Sequence, residues 1–335
     1  MVAKIGVLIA LLSLVALQTL IAAEESPNLA DAKKEGKVVL YVSAQLPLAQ
    51  TISRAFENKF PFLKVEITRT SGENLLNRIK TEKLAGKMAF DVVYGATVPL
   101  MPTLGVVKPY LSAEAKAYPA KFREPKDFWA GVSANYYVIG YNTKLVAKNE
   151  APRDWKDLLH PRWKGRFAMD PEEFSWFGAM ETYLGEEEAK KLMTGLARQD
   201  IQWRKNHTTL AQFLAAGEYP AALVYAHSIE EMKGKGAPID WVRTTAPIVL
   251  DIQAVALSAQ PHHPNAGKLF MDFLLSSETQ TIIYQDRKIP IRPGVVPESS
   301  PLHPTGLELF PSPPKVVTNL NHYASKFEQI FGPRR

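Results

Sequence analysis

The chain has 335 residues, 46% of them hydrophobic and 22% charged, with a formal net charge of +6 and no cysteine. That is an ordinary globular composition, and the length exceeds what one hydrophobic core usually serves, so two lobes are expected. The missing cysteine excludes disulfides, thiolate metal sites, a cysteine nucleophile and the lipid-modified cysteine that tethers many exported proteins. The cations are scattered, as at Lys33-Lys34, Lys233, Lys235 and Arg334-Arg335, so no basic stripe points to a nucleic-acid partner.

In chain order, Lys4 precedes an apolar run from Ile5 to Leu17 and a small-residue stop at Ala22 and Ala23. This is the layout of a signal peptide over 1–23, too short for the ~20 apolar residues of a spanning helix. An exported chain with no tether or membrane anchor is retained only where an outer membrane confines it, so the expected compartment is the periplasm. Lys37 to Ser43 alternates as a strand, Leu48, Ile52, Phe56 and Phe60 recur at helical spacing until Pro61, and Val65 with Ile67 marks a second strand. A helix from Asn74 to Leu84 and a strand from Phe90 to Tyr94 follow. Strand and helix alternate, which predicts an α/β fold with a mostly parallel sheet in each lobe.

Ligands of such sheets sit beyond the carboxyl ends of the strands. Ser43 and Gln45, Ser71, Gly72 and Asn74, and Gly95 occupy those places and are candidate ligand contacts. Tyr136 to Asn142 is a strand leading into a second set of elements, with a new α/β stretch beginning at Lys164 to Met169, helices from Phe174, Glu186 and Thr208, and a strand from Ala221 to Tyr225. Ile248 to Leu257 is again a strand, and Pro264 to Leu275 a helix with Leu269, Phe270, Phe273 and Leu274 on one face. The expected division is lobe one at 24–142 plus 246–290 and lobe two at 143–245. Residues 291–335 form a proline-rich extended connection and a terminal helix packed on the lobes through Val316, Leu320, Tyr323 and Phe327.

Several segments in this order resemble the type II periplasmic binding proteins of ABC importers, and among them the branch that contains the ferric-iron binders. They are Val39 to Gln45, Phe90 to Tyr94, Trp129 to Gly131 before Val138 to Asn142, Pro161 to Arg166, Ala216 to Glu218 before Ala222 to Tyr225, and His263 to Ser276. The resemblance implies two lobes joined by crossing strands near Tyr137 to Asn142 and Thr245 to Asp251. Closure on a ligand would be read by a permease in the inner membrane, with a monomer as the working unit. Where the ferric binders carry adjacent tyrosines, this chain has His227 and Ser228, and their histidine position is Leu46. Phenolates suit a hard trivalent cation better than this pair does. The expected ligand is therefore a small organic or oxyanionic solute, and no cofactor is expected. Iron(III) with a synergistic anion is the alternative, held by His227 and Tyr225. The anion-holding half of the family site falls near Pro171 to Ser175 and on His207, at helix starts with free N–H groups.

Each candidate has a plainer alternative. His207 and His227 could be loop histidines, Tyr225 a packed aromatic, Ser71 with Gly72 a helix cap, and Trp176 and Phe177 core residues. Alternation along a strand sends Tyr136 and Tyr137 to opposite faces, so at most one faces a cleft. Asp251 could bind a cationic group or form a hinge ion pair. No nucleophile elbow, His-Glu-x-x-His, phosphate loop or dinucleotide fingerprint is present, which argues against an enzyme. A binding protein serving a membrane sensor is the remaining alternative.

Overall fold

The computed structural model describes residues 26–332, so the segment read as a signal peptide and Arg334-Arg335 lie outside the described residues. Helix α1 (Leu29–Glu35) leads into β1 (Lys37–Val42), α2 (Leu46–Lys59), β2 (Lys64–Arg69), α3 (Gly72–Leu84), β3 (Val92–Gly95) and β4 (Val107–Lys108). Strands β2 and β3 both run parallel to β1, as the alternation predicts. Between β1 and α8 (Pro264–Leu275), Phe56 packs against Phe60, Phe270 and Phe273 with ring centroids 5.0 to 5.4 Å apart. Phe56, Phe270 and Phe273 are buried, and a fully buried ring contributes roughly 1.5–3 kcal/mol.

The long strand β5 (Ala130–Asn142) sets the architecture. Its first part pairs antiparallel with β10 (Ile248–Ser258), from Val255 opposite Ala130 to Leu250 opposite Tyr136. Its second part pairs antiparallel with β8 (Ala221–Tyr225), from Tyr225 opposite Tyr137 to Ala221 opposite Tyr141. One strand thus belongs to two sheets. The order is β2-β1-β3-β10-β5-β8-β6-β7, where β6 (Phe167–Met169) lies parallel to β7 (Gln202–Trp203) and to β8.

The second sheet is covered on both faces. Ile139 and Leu223 face a cluster with Trp155, Trp176 and Phe177, supplied in part by α4 (Phe174–Leu184) and α5 (Glu186–Ala197). Val138 and Val224 face the opposite cluster with Leu214 and Ile229, from α6 (His207–Ala216) and α7 (Ala226–Lys233). Strand β9 (Ile239–Trp241) edges this sheet against β5. Trp176 and Phe177 are therefore core residues.

After β10 and α8 the chain makes α9 (Ser277–Gln285) and β11 (Ile289–Pro290), which returns to β5 opposite Ala134 and Ser133. The extended stretch that follows ends in β12 (Leu309–Pro311), parallel to the start of β10. Two helices close the chain, α10 (Pro314–Thr318) and α11 (Leu320–Phe331), broken at Asn319 where one continuous helix is predicted. Val316, Tyr323 and Phe327 join the cluster of the second sheet, which contains no residue of β1, β2 or β3. Leu320 departs from its expected packing role: it starts α11 on the solvent side and is 38% exposed.

Candidate functional site

Between the two sheets lies a cavity of about 790 Å³. Its floor comes from the crossing strands, through Ser133 and Asn135 of β5 and Gln253 of β10. Asn135 Nδ2 and Gln253 Nε2 both donate to Asp251 Oδ2, at 3.3 and 3.1 Å, so the carboxylate turns these amides rather than forming an ion pair. Burial pushes the Asp251 carboxyl above its usual range.

The β1 side contributes Ser43, Ala44, Gln45 and Leu48. The Ser43 N–H donates to the Tyr94 carbonyl at 3.0 Å, and the Ser43 hydroxyl sits against Gly95. A Cβ on Gly95 would lie 1.9 Å from that hydroxyl, so glycine is required for Ser43 to hold its place. Gly72 lies behind the same residue, where a Cβ would come within 3.3 Å of Thr97 Cγ2 and 4.0 Å of Ser43. Gly72 and Gly95 shape the seat of Ser43 and do not line the cavity themselves. Ser71 precedes α3 without a side-chain cap bond, and Ser71 and Asn74 are exposed outside the lining. Ser175 Oγ lies 3.4 Å from Ser312 Oγ, beside the end of β12 and away from the cavity lining.

Opposite stands an aromatic wall. Asn206, held at φ 77°, caps α6 through Thr208 N at 2.8 Å, and so places His207 at the first turn. The His207 ring stacks on Tyr225 at 3.7 Å and 26°, and Tyr225 stacks on His227 at 5.5 Å and 19°. Tyr225 donates its hydroxyl to that of Tyr137 at 3.4 Å. Tyr136, on the other face of β5, lines a separate cavity of about 220 Å³ with Phe122 and Leu250, as alternation requires.

Burial makes this wall neutral. It holds the imidazoles of His207 and His227 down to about 3, and pushes the phenols of Tyr137 and Tyr225 well above their usual range. Glu173, 2% exposed, lies 3.2 Å from His207 Nε2, and burial raises its carboxyl well above the carboxylate range. This contact therefore joins two uncharged groups. Glu173 Oε1, His207 Nδ1 and His227 Nδ1 have no hydrogen-bond partner among the described residues. The formal charges of the lining are carried instead by Glu231, Lys235, Asp286, Arg287 and Lys288. Among the described residues, no group of three or more His, Cys, Asp or Glu side chains is placed to hold a metal ion.

Five of the residues singled out by the sequence thus meet in one cavity: Ser43, Gln45, His207, Tyr225 and His227. Sequence reasoning did not single out Asn135, Gln253, Gln212, Glu173 or Lys288. A signal exists for the first two, since Asn135 and Gln253 are polar residues within long, largely apolar strands. No such signal exists for Glu173, which looks like an acid at a helix start.

The model of the bacterial extracellular solute-binding protein family matches residues 51–305. The chain belongs to that family. A relative of this solute-binding protein in Haemophilus influenzae is 28% identical over 286 residues, covering 81% of this chain and 82% of the relative. The iron-bound HitA of Pseudomonas aeruginosa shares the fold at a TM-score of 0.76 and 22% identity, over 89% of this chain and 99% of the other. AfuA of Actinobacillus pleuropneumoniae, solved with fructose-6-phosphate, gives a TM-score of 0.73 at 23% identity, over 89% and 99%. At these identities the likeness is one of fold.

Proposed function

We propose that this solute-binding protein is the periplasmic capture component of an ABC-type importer, closing its lobes on a small organic or oxyanionic solute and presenting the closed form to a permease. The observation that carries the reading is the cavity itself, whose polar lining is drawn from both sheets and from the strands that join them. A ligand that touches both sides only when the lobes approach shifts the population toward the closed form. The role is capture by a single chain rather than turnover.

One observation favours a second reading. Tyr137 and Tyr225 place two hydroxyls 3.4 Å apart beside His207 and Glu173, a hard-donor set of the kind an iron(III) cargo takes. HitA, in its solved form, was iron-bound, whereas AfuA held a sugar phosphate. Against iron stands the cost of removing protons from two phenols that burial keeps neutral.

Thermal unfolding against phosphate, phosphonates, dicarboxylates, sugar phosphates, amino acids and ferric citrate separates the readings. A ligand at 100 times its Kd raises stability by about 2.7 kcal/mol and the midpoint by roughly 5 to 10 °C. The expected result is a shift with one organic or oxyanion class and none with iron. A shift with ferric citrate alone, accompanied by a visible phenolate-to-iron absorption that Tyr225→Phe removes, would establish the second reading.

A further inference from the structure

The charges around the cavity are unevenly satisfied. Glu231 and Lys235, four residues apart on α7, pair at 2.7 Å. Lys288 comes from the other side and is held differently. Helix α9 ends at Gln285, and Arg287 takes the left-handed conformation at φ 60°. The Arg287 N–H then donates to Tyr284 O at 2.9 Å and the Lys288 N–H to Ile283 O at 3.0 Å. This turn delivers the chain into β11, paired with β5 at Ala134 and Ser133. Lys288 is thus fixed immediately before β11, half-buried, with its side chain in the cavity lining.

Its ammonium forms no ion pair or side-chain hydrogen bond among the described residues. Asp286 and Glu231 supply opposite charge in the neighbourhood, but neither reaches the 4.0 Å of an ion pair with it. Burial lowers its pKa from the usual lysine value, outweighing the opposing pull of Asp286 and Glu231.

Facing it is the first turn of α7. The residue at the cap, Tyr225, offers no side-chain acceptor to the turn's N–H groups. His227 and Ser228, each 7% exposed, line the cavity from that turn, and His227 Nδ1 has no partner. The Lys288 charge is felt at His227, where it helps to keep the imidazole neutral. Free N–H groups, the positive end of a helix dipole, a hydroxyl and an imidazole nitrogen converge here with a desolvated cation. The acidic residues of the lining carry their own counter-charges or stand further off.

We infer that Lys288 and the first turn of α7, through His227 and Ser228, form a subsite for the anionic end of the solute, a phosphate, phosphonate or carboxylate group. Resting on the capture reading, this inference gives the solute a polarity. The anion bridges Lys288 on the β11 side to α7 on the β8 side, so the charged end draws the lobes together. The rest of the solute then faces Ser43, Gln45, Asn135 and Gln253, which suit hydroxyl or amide groups rather than a second charge. A trivalent cation beside His227 would meet the Lys288 charge.

The test measures binding of inorganic phosphate, methylphosphonate, acetate and fructose 6-phosphate by titration calorimetry, with fructose and glycerol as neutral controls and ferric citrate as the cation. At least one anion-terminated probe is expected to bind, with affinity that falls as salt rises. Lys288→Gln should weaken it by about 10- to 100-fold, Lys288→Arg should restore most of the loss, and Ser228→Ala should weaken it less than Lys288→Gln does. Circular dichroism of each variant establishes that it is folded. If a neutral or cationic probe binds equally to the parent and to folded Lys288→Gln, the anion subsite is wrong and the capture reading stands. If no probe binds and periplasmic extract yields no co-purified solute, both fail together.

Discussion

His207, Tyr225 and His227 stack in the cavity as uncharged rings, and the two imidazoles are neutral because burial holds their pKa near 3. This has a consequence for stability. As pH falls through about 6.5, a histidine of the unfolded chain takes up a proton, whereas His207 in the folded chain stays neutral until about 3. The unfolded state therefore binds more protons in that window, and the histidine's contribution is full above pH 6.5 and lost as acid is added. Glu173 and Asp251, raised by burial, act in the opposite direction, since they retain protons that the unfolded chain releases above about pH 4. A comparison with His207→Gln isolates the histidine. Denaturant melts between pH 6 and 4 should show the parent losing up to about 1.4 kcal/mol per pH unit more than the variant; parallel profiles would contradict the burial argument. At this scale Ser43 and Gln45 are legible in the sequence, because they follow a strand whose alternation is clear. Glu173 and Lys288 are not legible, because residue type does not reveal that a charged group has been buried.

At the scale of elements, the C-terminal helix is held by aromatic packing on one sheet. Phe327, 2% exposed, meets Phe174 at 5.4 Å and Phe177 at 5.9 Å, both edge-on. Gly178 lets α4 and the chain end approach, since a Cβ there would lie 2.6 Å from Val316 Cγ1. Truncating Phe327 to Ala should cost about 3–5 kcal/mol of stability, read as a lower denaturant midpoint. A loss under about 1 kcal/mol would mean that α11 is not part of the cooperative unit. The spacing of Val316, Tyr323 and Phe327 makes this helix legible from sequence. The break at Asn319 is not, and neither is the outward turn of Leu320, because the apolar spacing runs across both without marking them. Short elements such as β4, β11 and α10 also escape, because their two to five residues carry too little periodicity to mark them.

For the whole molecule, the alternation of strand and helix from Lys37 onward is enough to give an α/β fold with parallel β1, β2 and β3. Pattern alone does not place β10 antiparallel between β3 and β5, or show that β5 serves both sheets, because those pairings join segments about 80 residues or more apart. The proposed mechanism depends on just those pairings, since β5 and β10 carry the cavity floor and connect its two sides. The claim tested most directly is that a bound solute draws these sides together. Small-angle X-ray scattering of the purified protein should be recorded without solute and with the anion that binds best in the calorimetric series. The radius of gyration should decrease on saturation, with no change in molecular mass, and Lys288→Gln should need about a 10- to 100-fold higher solute concentration for the same decrease. An unchanged radius of gyration at saturating solute would contradict capture by lobe closure.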